Sequence, residues 1–99
     1  MIIQILISDG KDGGCPICAS VKKKVFQAKA MLEIRGYNIE IQVFNMDSPG
    51  NKGEEAVDFA INKGLSLVPS TVIGTQIFEM DNITVDEVVK AVLKQSKAV

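Results

Sequence analysis

The sequence predicts an α/β fold, a four-stranded mixed sheet flanked by helices in the order β-α-β-α-β-β-α. Three observations predict it. The first strand candidate is apolar on both parities, as a strand covered on two faces would be. The segments after it switch to helical spacing and then to strict alternation. Near the end, two short strand candidates meet at a glycine and are followed by an amphipathic helix.

Taken in order, "IIQILIS" (residues 2–8) is short, β-branched and apolar, and "DGKDGG" then breaks the pattern. From Pro16 onward Val21, Val25, Ala28 and Leu32 recur at helical spacing with lysines on other faces. The helix is expected to end near "RGY", where Gly36 can take the left-handed C-terminal conformation. "YNIEIQVFNMD" alternates Ile39, Ile41 and Val43 against Glu40 and Gln42, the pattern of a strand. "SPGNKG" is turn chemistry, and "EEAVDFAINKG" reads as a short helix with acids at its positive end and Lys63-Gly64 at its close. "STVIG" and "TQIFE" are brief strands joined tightly at Gly74. "TVDEVVKAVLKQ" opens with Thr84 and Glu87, a capping box, and sets Val85, Val88, Val89, Val92 and Leu93 on one face. The first βαβ unit implies a parallel, right-handed crossover, and the closing pair implies a hairpin.

The 99 residues are expected to form a single domain, residues 1–99, without repeats or linkers. An apolar fraction of 46% and a charged fraction of 23% are those of an ordinary globular domain. A net charge of -1 implies no general attraction to nucleic acid or to an anionic membrane. The first apolar run is too short to span a bilayer and lacks the basic flank of a signal peptide, so a cytoplasmic location is expected.

The stretch "DGKDGGCPICAS" (residues 9–20) holds both cysteines, two residues apart. Such a pair can be half a metal site, a reversible disulfide or an accident of composition. In a reducing compartment a permanent disulfide is disfavoured. The chain has no His, so one copy offers zinc only Cys15 and Cys18 where a closed site needs four donors, and no metal site is expected within a monomer. Placement favours redox exchange. Pro16 suits the first helical position, where a missing N–H costs nothing. Cys15 then caps the helix at its positive end, which favours the thiolate and makes Cys15 the nucleophile. Cys18, one turn on, faces the same way and can resolve a mixed disulfide at Cys15. Gly13 and Gly14 leave the approach clear.

"GCPIC" after a strand, "LVPSTVI" (residues 67–73) and the element order together resemble the thioredoxin fold, and the CPxC form is most similar to a glutaredoxin. The resemblance covers essentially the whole chain. It implies a thiol–disulfide oxidoreductase in which the proline opening the third strand, Pro69, is cis, and Val68 before it pairs its backbone with a client. Pro16, Ile17 and Lys11 are the other client-binding residues it implies. Partners would be a disulfide-containing client protein or a glutathione mixed disulfide, together with a reductase. No bound cofactor is expected, and glutathione is the reductant to consider. The chain also departs from glutaredoxins. Ile17 stands where an aromatic is usual, Val68 where Thr is, and "EMDN" (residues 79–82) lacks a glycine pair. A monomer is expected. The competing assignment is an iron–sulfur cluster or metal carrier bridged by Cys15 across a dimer.

Other features have plainer readings. Lys22, Lys23 and Lys24 fan out around a helix, so a solvated face is favoured over a steering patch. Asp9 can be a turn residue or a carboxylate that passes protons to the resolving cysteine, and the turn is favoured. Asn82-Ile83-Thr84 matches a glycosylation acceptor, but a cytoplasmic chain does not use it and Thr84 is accounted for as a cap. Met31, Met46 and Met80 read as core filler or edge contacts. Tyr37 and four Phe residues are too scattered to form a base-stacking platform.

Overall fold

A computed structural model describes residues 1–8 and 16–97. Its elements follow the expected order: β1 (Ile2–Ile7), α1 (Pro16–Ile34), β2 (Glu40–Asn45), α2 (Asn51–Lys63), β3 (Ser70–Ile73), β4 (Gln76–Glu79) and α3 (Val85–Lys97). The four strands form one mixed sheet in the order β2-β1-β3-β4. β1 runs parallel to β2, with Ile5 opposite Val43, and antiparallel to β3, with Ile5 opposite Thr71. β3 and β4 form the hairpin, closed by Gly74-Thr75 with Gly74 at φ +60°, the sign that two-residue hairpin turns demand.

Side chains on β1 alternate between two cores, as the pleat requires. Ile3, Ile5 and Ile7 join Val21, Val25, Ala28 and Leu32 of α1 and Val88, Val89 and Val92 of α3. Leu6 faces the other way and meets Ala56, Phe59 and Ala60 of α2, together with Val72. Phe44 of β2 stacks on Phe59 with ring centroids 4.2 Å apart, fixing α2 over that half of the sheet. β2 is an edge strand, which is why Val43, on the expected apolar parity, is 40% exposed.

The helix ends follow local chemistry. Gly36, at φ +92°, lets its own N–H reach the Glu33 carbonyl at 3.0 Å while the Tyr37 N–H reaches Leu32 at 3.1 Å, the paired bonds of a Schellman motif. Thr84 caps α3: its Oγ1 accepts from the Glu87 N–H at 3.1 Å and donates to the Glu87 carboxylate at 3.1 Å. α2 begins at Asn51, ahead of the acids that mark it in the sequence, because the turn at Gly50 feeds straight into it. Among the described residues no helix is long and apolar enough to cross a membrane.

Candidate functional site

The candidate site draws on two segments, the first turn of α1 and the residues entering β3, which pack on the same apolar cluster. α1 begins at Pro16, and its first turn, Pro16-Ile17-Cys18-Ala19, carries no acid to offset the positive end of the helix. Pro16 and Ile17 lie on the surface. Cys18 points inward and is 3% exposed, in the same apolar cluster as Ile5, Ile7 and Val21.

Val68 packs against that cluster and against the one beneath α2, so it bridges the two cores at this end of the sheet. The Val68–Pro69 peptide bond is cis and Pro69 is fully buried. Two hydrogen bonds hold the segment. Ser70 Oγ donates to the Leu67 carbonyl at 2.6 Å, and the Met80 N–H donates to the Pro69 carbonyl at 2.7 Å. None of the turn and loop hydrogen bonds among the described residues engages the Val68 backbone.

Of the sequence-predicted residues, Cys18 lies in the cluster against which Val68 packs, Pro69 follows Val68 in the chain, and Pro16 and Ile17 are exposed at the start of α1. Cys15 and Lys11 lie outside the described residues, as do Asp9, Gly13 and Gly14. No family model, curated protein or solved structure matches the chain. The site therefore rests on its own geometry.

Three further residues lie at this segment: Leu67 and Ser70, given no role of their own in the sequence reading, and Met80, expected there only as core filler or an edge contact. Leu67 is exposed beside Val68 and adds an apolar lip. Ser70 ties down the turn, and a hydroxyl directly after Pro69 was the available signal. Met80 adopts φ +56°, unusual for a side chain of its size, while its N–H holds Pro69 in place. Nothing in "EMDN" announces that conformation.

Two cavities, of about 390 and 480 Å³, lie along β2 and beside the start of α2. Neither is lined by Cys18, Val68 or Pro69. Among the described residues no three His, Cys, Asp or Glu side chains are grouped as metal ligands.

Proposed function

We propose that this chain is a thioredoxin-like thiol–disulfide oxidoreductase acting in the cytoplasm through Cys15 and Cys18. The observation that carries the reading is a helix that begins at Pro16, inside the Cys-Pro-Ile-Cys run of the sequence, together with a cis Val68–Pro69 bond, Val68 packing against the apolar cluster that holds Cys18.

The roles follow from burial and electrostatics. Cys15, which precedes Pro16 in the sequence, attacks one sulfur of a client disulfide as the thiolate. The client's other sulfur leaves as a thiolate and takes a proton from solvent, and Cys15 is left in a mixed disulfide. Cys18 loses its proton and attacks the Cys15 sulfur, expelling the second client thiolate. Two electrons have then passed to the client, and the chain holds a Cys15–Cys18 disulfide. Burial keeps Cys18 from meeting a client directly, so it acts only on what Cys15 has captured. The Val68 backbone holds the client strand-like, with Ile17 and Leu67 as apolar neighbours. A dithiol donor, glutathione or a reductase closes the cycle.

The test is reduction of insulin and of a glutathione mixed disulfide. Cys15→Ser is expected to abolish both activities, and Cys18→Ser to accumulate a covalent adduct with the client. Full turnover by Cys15→Ser overturns the reading.

A further inference from the structure

Two helices carry a second apolar stripe that faces away from the sheet. On α1, Lys23, Phe26, Ala30 and Ile34 recur at three- and four-residue spacing on the side opposite Val21, Val25, Ala28 and Leu32. Phe26 is 45% exposed and Ile34 87%. The helix is basic, with Lys22, Lys23, Lys24 and Lys29 against Glu33 alone. On α2, Glu54, Val57, Asp58 and Ile61 recur in the same way, with Val57 39% and Ile61 71% exposed. No lysine falls within that stripe, since Lys52 and Lys63 sit near the two helix ends. The cavity of about 480 Å³ opens beside it, lined in part by Met46, Glu54, Val57 and Asp58.

We infer that these stripes are the two halves of one interface, and that the partner is a second copy of this chain, with α1 of one copy docked on α2 of the next. The charges are complementary, and the apolar residues lie on the same faces as the charges. Phe26 is the anchor, an aromatic ring opposite a cavity with an apolar wall and an acidic rim. Lys23, three residues from Phe26 on the same face, meets Glu54 and Asp58.

The geometry also fixes the mode of assembly. α1 lies over the sheet face that buries Ile5, and α2 lies over the opposite face, which buries Leu6. A copy that donates its α1 to a neighbour therefore presents its own α2 on the far side. The contact is heterologous, so it builds rings or open chains of copies and does not close as a two-fold dimer. α1 is 19 residues long, about 28 Å at the usual helical rise, and one helix laid on another buries less than a standard interface. Association is accordingly weak, reversible and sensitive to salt, and the chain is a monomer when dilute.

Sedimentation equilibrium of the full chain under reducing conditions tests this, from low micromolar to millimolar concentration and at low and high salt. The weight-average mass is expected to climb past that of a dimer and to fall back in high salt. Lys23→Glu and Glu54→Lys/Asp58→Lys are each expected to weaken association about tenfold or more. An equimolar mixture of the two is expected to regain it, because each supplies the charge that the other lacks. Phe26→Ala, with circular dichroism as a check on folding, is expected to weaken it without that rescue. A mass that stays monomeric at millimolar concentration in low salt overturns the inference. So does a plateau at the dimer, or an equilibrium that the charge reversals leave unmoved, as it would be if the stripes served a different protein.

Discussion

Cys18 is 3% exposed, and an alkylating reagent in solution can reach it only when the helix start opens. In reduced protein, iodoacetamide is expected to label Cys15 first and Cys18 only with denaturant present, as read by peptide mass spectrometry. Equal labelling of both in native protein removes the division between attacking and resolving thiol. Thr71 supplies a second test at this scale. It lies in β3 at 0% exposure, and its hydroxyl finds no hydrogen-bond partner among the described residues. Thr71→Val removes a desolvated polar group while nearly preserving shape. It is expected to raise stability by about 1 kcal/mol, a melting shift of roughly 4–8 °C for a domain of this size. A lower melting temperature would show that the hydroxyl is satisfied. The start of α1 at Pro16 was legible in the sequence, because a proline at the first helical position is a local signal. Met80 was not, because its φ of +56° follows from how the chain turns back toward Pro69, a tertiary demand that leaves no mark in composition.

Elements were legible where one local device decides them. Gly36 closes α1 and the Thr84–Glu87 box opens α3, with bonds reaching no more than five residues along the chain. Exposure along β2 was not legible, because it depends on strand order: Val43 alternates correctly and shares the face of Ile5, yet it stays part-exposed because β2 is the sheet edge. The second stripe on α1 was missed for a related reason. Lysines spread around a helix disguise Phe26, Ala30 and Ile34 between them. Gly53 gives the prediction at this scale. An alanine in a helix is favoured over glycine by about 1 kcal/mol, so propensity alone says that Gly53→Ala stabilises α2. A Cβ there, however, would collide with the Ser48 carbonyl oxygen, and a backbone atom cannot swing aside as a long side chain can. The steric term, about 1–3 kcal/mol for overpacking, is expected to win. A fall in the urea midpoint of Gly53→Ala checks it, and a rise would mean that the turn before α2 yields freely.

At the scale of the molecule β1 organises everything, with Ile5 at 0% exposure between β2 and β3 and under α1 and α3. Ile5→Ala opens a cavity there at an expected cost of about 2–5 kcal/mol, a large part of the roughly 5–15 kcal/mol by which such domains are stable. Chemical denaturation should show a midpoint lowered accordingly with the slope unchanged, and a loss below about 1 kcal/mol would mean that the site collapses around the smaller residue. The overall order was legible because each strand and helix carries its own periodicity, and parallel pairing follows from the connection through α1. The central place of β1 has a consequence during synthesis. β1 leaves the ribosome ahead of both of its neighbours, and its β3 side has no partner until residues 70–73 emerge. At about 5–20 residues per second the nascent chain carries that bare flank for several seconds, so a message truncated before β3 yields a product with an open template for aggregation.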